Sequence, residues 1–452
     1  MKKEQQLSNF IREAQYADLT PETVKTVKQQ LVALYGATIA GNESDGCKAI
    51  ADFTRETGGK PEATILIHGG KVPAHQAAFV NSVMGRALDI CDHIAPGVHI
   101  GSALIPAALS AAELAGGCSG KDFVTAVAVG AEVSLRLNLA EDEYAGFDPT
   151  GVCAVFASAA ASARLLSLNE SQILYALGLV FNECGGSFQS NIDGSLSVRV
   201  NEGNAARAGL ECARLAGLGI TGPTNFLDGV YGYYHLFGRD KADTSQVTTQ
   251  LGSLWHLTDL NFKKYPSCGL TQGSTELLLK MIAEHKFVAD DVDRLEILVP
   301  PFTYKLVGQF ALGENPKVNA QFSVAYCVAN ALLRAPVKLS QFEAAEIRET
   351  RLLNYMERIK VISDPTIEAR HHYSSDIRIW LRDGRTLEGK IDVPPGTPGN
   401  PMTEEEHRQR FFDCVDFAGK EWIAARADKI LAYLGTIEDA RDVREGVALF
   451  LA

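Results

Sequence analysis

The sequence predicts a mainly α protein, with a large helical domain and a smaller α+β domain. Three observations carry this. Apolar residues recur at helical spacing through the first 260 residues, in stretches rich in Ala, Ser and Gly. Strand-like runs begin after residue 262. A punctuated linker, PPGTPGNP, then hands the chain back to helix. The expected organisation is a first helical part over 1–262, an α+β domain over 263–400, and C-terminal helices over 401–452 that complete the helical domain.

TPETVKTVKQQLVALYGATIAG predicts the first long helix, with Thr20 as its cap, Glu22 in its first turn and Gly41-Asn42 as its stop. CKAIADFTRE is a second helix, ended by Gly58-Gly59, and EATILIHGGKVPA reads as a short hairpin. AHQAAFVNSVMGRALDICD returns to helix as far as Asp92. A loop through Pro96-Gly97 follows, and then a series of helices rich in small residues: GSALIPAALSAAELAG, KDFVTAVAVGAEVSLRLNLA, TGVCAVFASAAASARLL, SQILYALGLVFNECGGSF and GNAARAGLECARLAGLG. Small residues on successive helices let backbones approach closely, which predicts a compact bundle. Further on, DRLEILVPPF reads as a strand and QFSVAYCVANALLRA as a helix. SDIRIWLRDGRTLEGKIDVPPG reads as a hairpin about Asp383-Gly384, and TEEEHRQRFFDCVDFAG as helix again.

A chain of 452 residues is too long for one ordinary core. Its 43 basic and 55 acidic side chains leave a net charge of −12, with no basic tail or groove, which argues against nucleic acid as a partner. A few cations focused in a cleft would still attract an anionic substrate. The cysteines are scattered, odd in number and without a CxxC pair, as expected of free thiols in a reducing compartment. MKKEQQLSNF lacks the apolar core of a signal peptide, and the apolar stretch 121–139 is interrupted by charged and polar residues. The expected location is the cytoplasm, with no membrane partner. No GxGxxG follows a strand and no GxxxxGK[ST] occurs, so no nucleotide cofactor is expected.

The strongest site candidate is RALDICDHIAPGVHIGSALIPA. Asp89, Asp92, His93 and His99 fall close together, and Asp89 and His93 share a face if the helix reaches them. The break at Pro96-Gly97 brings His99 to the mouth of the next helix, with Ser102 in its first turn. Ionisable groups between apolar helices are costly to bury without partners, and a helix N-terminus suits a ligand carboxylate. The plainer reading is a structural Asp–His pair. Two His and two Asp could hold a divalent ion, but the segment has no HExxH or Cys/His ligand spacing, so no metal is expected.

Three further stations stand out. Asp148 in GFDPTG precedes a helix, either as its cap or as a group that orients a histidine or binds a substrate hydroxyl. Arg199 in SVRVNEG, ahead of a helix starting near Gly203-Asn204, could clamp a carboxylate or form a salt bridge. Lys263 in LNFKKYPSCG lies at the domain junction, where it could bind a carboxylate or carry a proton.

In these stretches the chain resembles the MmgE/PrpD family over nearly its full length. The likeness is strongest at RALDICDHIAPGVHIGSALIPAALSAAE, GFDPTGVCAVFASAAASARLL, GNAARAGLECARLAG and NFKKYPSCG. That family includes cofactor-independent 2-methylcitrate dehydratases, cis-aconitate decarboxylases and an iminodisuccinate epimerase. The resemblance implies an all-helical domain with a smaller α+β lid, a homodimer, and an active site in the cleft between domains. Asp89, His99 and Lys263 match family positions. His93 falls where relatives often carry threonine or another small polar residue, and Asp148 where many carry histidine. SVRVNEG replaces a TKPLH-like stretch, so a lysine and a histidine are missing and Arg199 is the candidate to take over one charge. The decarboxylases' tyrosine after the junction is Val324 here. These departures point to a substrate other than the family's best-known ones.

The resulting expectation is a cofactor-independent hydro-lyase on a small di- or tricarboxylic hydroxy acid. It would abstract a proton next to a carboxylate. His99 would be base or acid, oriented by Asp89, with His93 as a second acid/base group. Lys263, Arg199, Asp148 and Ser102 would bind substrate. Epimerase or decarboxylase action on a similar polycarboxylate is the alternative, and a non-catalytic small-acid binding protein is the third reading.

Overall fold

The computed structural model describes residues 1–140, 143–313 and 316–452. It is mainly helical with a smaller mixed sheet. The first half is a series of helices: α1 (Lys3–Glu13), α2 (Pro21–Gly41), α3 (Cys47–Thr57), α4 (Ala74–Arg86), α5 (Ile100–Leu114), α6 (Gly120–Leu137), α7 (Pro149–Leu165), α8 (Glu170–Phe181), the short α9 (Gln189–Ile192) and α10 (Ser197–Gly217). The predicted cap of α2 is in place: Thr20 Oγ1 accepts from the Thr23 amide at 3.1 Å, with Pro21 next in the chain. Between α3 and α4, β1 (Ala63–Thr64) and β2 (Lys71–Val72) form the expected small antiparallel pair.

α10 packs against α4 and α7, and α5 against the same two helices. Small residues permit this. A Cβ on Gly209 of α10 would lie only 2.3 Å from the Ser158 Cβ of α7. One hydrophobic cluster runs through these helices and takes in Phe411, Cys414, Ile430 and Phe450 from the end of the chain. The helix Glu404–Ala418 lies along α2 and starts at a Thr403–Glu406 capping box.

The short α11 (Tyr233–Leu236) and then β4 (Asn261–Phe262) lead to α12 (Gln272–His285). A four-stranded sheet follows, with β5 (Val292–Val299), β6 (Ile359–Ser363), β7 (Ser375–Leu381) and β8 (Thr386–Ile391) in the order β6-β5-β7-β8. The β5–β6 pair is parallel and the others antiparallel, and Gly384 with φ 91° turns the hairpin foreseen between β7 and β8. Ile297, Ile377 and Ile379 pack with Leu278, Tyr326 and Val328 in a second hydrophobic cluster. All nine cysteines are free thiols, and among the described residues no helix is long and apolar enough to cross a membrane.

Two helix boundaries differ from the sequence expectation, and both matter to the site. α4 stops at Arg86 rather than at Asp92, because Asp89 takes a left-handed backbone with φ 53°. The freed carbonyls are held by side chains from far along the chain. Arg199 donates to Ala87 O at 3.1 Å, Gln321 to Leu88 O at 2.7 Å, and Arg410 to Ile90 O at 2.8 Å. Asp89 and His93 therefore share no helix face. Instead Asp92 and His93 form β3 (Asp92–His93), which pairs antiparallel with β4 in the register Asp92↔Phe262 and His93↔Asn261. At the other boundary, α10 begins at Ser197, which puts Arg199 and Glu202 inside the helix.

Candidate active site

A cleft with an empty volume of about 590 Å³ lies where α4, α7 and α10 face the segment 263–270 and the loop carrying His372 and Tyr373. Its centre is the carboxylate of Asp89, which the left-handed turn after α4 presents to two cations. Lys263 Nζ lies 2.7 Å from Oδ2, and the Arg86 guanidinium donates to Oδ1 at 2.5 Å. All three side chains are almost wholly buried. Burial alone would raise the Asp89 pKa, but Lys263 and Arg86 outweigh it and hold the carboxyl well below the usual range. Lys263 reaches this point because it follows β4 directly and its carbonyl accepts from Arg410 at 2.9 Å.

His99 caps the start of α5. Its Nδ1 lies 2.9 Å from the Asp92 carbonyl, which can only accept, so Nδ1 carries the proton and Nε2 keeps its lone pair. Nε2 lies 3.8 Å from Asp89 Oδ1. The tautomer is thus set by Asp92, and not by Asp89 as the sequence suggests. Burial, with Arg86 and Lys263 nearby, keeps His99 neutral by lowering its pKa well below 6.5. His93 stands beside it, ring centroids 6.2 Å apart, and neither of its ring nitrogens has a hydrogen-bond partner among the described residues. Burial, and then Lys263, push its pKa down to about 3. Gly269 makes room for this ring, since a Cβ there would fall 2.1 Å from His93 Nε2.

The opposite wall is acidic. Glu202 Oε1 accepts from Arg86 Nε at 2.9 Å, while Oε2 is buried with no partner among the described residues. Burial and the neighbouring Asp148 push the Glu202 pKa up to about 8 despite Arg86. Asp148 is the helix cap considered for it, and it also faces the cleft. Its Oδ1 caps α7 by accepting from the Gly151 amide at 2.9 Å, its Oδ2 accepts from Asn201 at 3.2 Å, and the residue lines the cleft. Its own pKa is raised by burial.

The structure brings together Asp89, His93, His99, Asp148 and Lys263. It does not bring in Arg199 or Ser102. Arg199 spends its guanidinium on the carbonyls of Asp45 and Ala87, so the expected carboxylate clamp is corrected to a brace for the turn after α4. Ser102 donates to the His99 carbonyl at 2.8 Å. Asp92 is a cap, accepting from the Gly101 amide and from Gln30, each at 3.0 Å. Cys268 lines the cleft, but burial pushes its thiol up to about 11, far from a thiolate nucleophile. Sequence reasoning missed Arg86, Glu202, His372 and Tyr373. Arg86 followed by an acid three residues on looks like an ordinary surface ion pair. Among the described residues no group of three or more His, Cys, Asp or Glu gathers as a metal-ligating set.

A helical bundle and a mixed-sheet unit thus contribute to a cleft that holds an Asp–Lys–Arg cluster and two neutral histidines. Residues 5–246 match the MmgE/PrpD N-terminal domain and residues 265–432 the MmgE/PrpD C-terminal domain, and the chain belongs to the MmgE/PrpD family. Among curated relatives, the cis-aconitate decarboxylase-like protein oryM of Aspergillus oryzae is 26% identical over 98% of this chain and 96% of its own length. The human cis-aconitate decarboxylase is 23% identical over 87% of this chain and 83% of its own. That of Aspergillus terreus is 27% identical over 76% of each.

Proposed function

We propose that this cleft moves a proton at a carbon next to a carboxylate of a small di- or tricarboxylic hydroxy acid, and that the reaction is a cofactor-independent elimination of water. The carrying observation is the charge balance at Asp89. Two buried cations face one ionised carboxylate, which leaves one positive charge to receive a substrate carboxylate and the enediolate-like charge that develops on it. His99 Nε2, unprotonated and beside this centre, is the base for the α-proton. His93 is a second acid/base group on the same side. The two hydrophobic clusters serve as the domains that frame the cleft, the lid spanning 263–400.

The decarboxylase names of the relatives favour a second reading, in which CO₂ leaves a similar polycarboxylate and a proton replaces it. Incubating the enzyme with a panel of hydroxy and unsaturated polycarboxylates in D₂O, followed by NMR, separates the two. Loss of water supports the first reading, loss of CO₂ the second, and exchange of the α-proton alone an epimerase. Absence of any turnover across the panel sinks all three.

A further inference from the structure

We propose that Glu202 is the proton donor to the departing hydroxyl, a role that rests on the elimination reading. Glu202 sits on the cleft wall in the second turn of α10, about 1% exposed, with its two carboxyl oxygens in different situations. Oε1 is occupied by Arg86 Nε at 2.9 Å, and an oxygen that accepts from a guanidinium does not carry the proton. That leaves Oε2, buried and without a partner among the described residues, as the site of the proton. A buried carboxyl oxygen with nothing to bond is costly unless a ligand completes it.

The groups facing Glu202 make it an acid at neutral pH. Burial and Asp148, the cap of α7, favour the protonated form. So does Asp89 in the turn after α4, while Arg86 opposes them, and the balance lies at about 8. Arg86 cannot fully ionise Glu202 because Asp89 already holds its other side. The cleft thus pairs an unprotonated imidazole at His99, beside Asp89, with a protonated carboxyl at Glu202, held by Arg86, and the Arg86–Asp89 ion pair joins the two.

The step balances within this set. His99 takes the α-proton, and the released electron pair forms the carbon–carbon double bond. The β-carbon–oxygen bond breaks, and the Glu202 proton joins the departing oxygen to make water. Glu202 is left as a carboxylate against Arg86, a charge-assisted pair. Proton exchange with solvent restores both groups.

The test compares a hydroxy acid that the wild-type enzyme dehydrates with its β-fluoro analogue, whose leaving group needs no proton. Glu202→Gln is expected to slow water loss by about 100-fold or more and to spare fluoride release, read by ¹⁹F NMR. Asp148→Asn is expected to move the alkaline fall in the wild-type rate, set near pH 8 by Glu202, to lower pH. Equal losses on both substrates, or no loss on either, overturn the assignment to Glu202 while the elimination reading stands. An unmoved alkaline limb in Asp148→Asn overturns Glu202 as the group that sets it, even if Glu202→Gln fails to fold. Exchange of the α-proton without water loss from any hydroxy acid in the wild type overturns the elimination reading and this role with it.

Discussion

Lys263 Nζ and Asp89 Oδ2 lie 2.7 Å apart in a position where neither side chain is more than a few per cent exposed. Breaking a buried pair by removing one charge typically costs about 3–5 kcal/mol, because the other is left uncompensated. Asp89→Asn keeps a residue type that tolerates the left-handed backbone, so it isolates the charge. Urea unfolding should show a loss of that order, together with loss of turnover. Asp89→Ala should be less stable still, by about 1–2 kcal/mol for the backbone strain. Equal stability of the Asp89→Asn and Asp89→Ala variants would contradict the strained turn.

His99→Asn should reduce turnover by about 100-fold or more and leave the affinity for a substrate carboxylate nearly intact, since Lys263 and Arg86 remain. Calorimetry against a non-reacting tricarboxylate checks the second part. Undiminished turnover would rule out His99 as base.

Acid should destabilise the fold through its neutral histidines. His93 has a folded pKa of about 3 against 6.5 when exposed, so the unfolded chain binds a proton that the folded one refuses. Its contribution is complete above pH 6.5 and is lost as pH falls toward 3. His372 and His407, both pushed by burial to about 4, act in the same direction. His93→Gln should flatten the dependence of unfolding free energy on pH between 6.5 and 4 by about one proton.

Gly269→Ala should cripple catalysis without entering any hydrophobic cluster. Its new methyl group would overlap the His93 ring, and that ring must turn out of its place. A rate close to that of His93→Ala, with a near-native melting temperature, is the expected pair of results.

Arg199→Met should lower stability and spare the KM of any enzyme that stays folded. Its guanidinium holds the Asp45 and Ala87 carbonyls and touches no part of the cleft. A raised KM at unchanged stability would restore it to the substrate.

Much of this was legible in the chain itself. Helical spacing and small residues announced the bundle, and the hairpin about Asp383-Gly384 announced the sheet. The family motifs carried Asp89, His99 and Lys263. The end of α4 was not legible, because Ala87, Leu88 and Ile90 continue a helical pattern and the groups that open it, Arg199, Gln321 and Arg410, lie more than a hundred residues away. Glu202 was hidden for a related reason. In SVRVNEG it reads as one more polar residue ahead of a helix, and only the earlier start of α10 and its packing on α4 turn it towards Arg86. His372 and Tyr373 lie in a loop with no periodicity to mark which side chain faces inward.

The pairing of β3 with β4 joins His93 to Asn261, and Asn261 lies two residues before Lys263. Side chains alternate between the two faces of a strand, so a single residue inserted in β3 would exchange the places of Asp92 and His93. The helix cap would then point into the cleft and the imidazole into the bundle. Loops elsewhere on the molecule can lengthen or shorten at little cost, but the spacing of this short ladder cannot drift. A change of chemistry at this centre is open to replacement of one side chain by another, and closed to insertion and deletion.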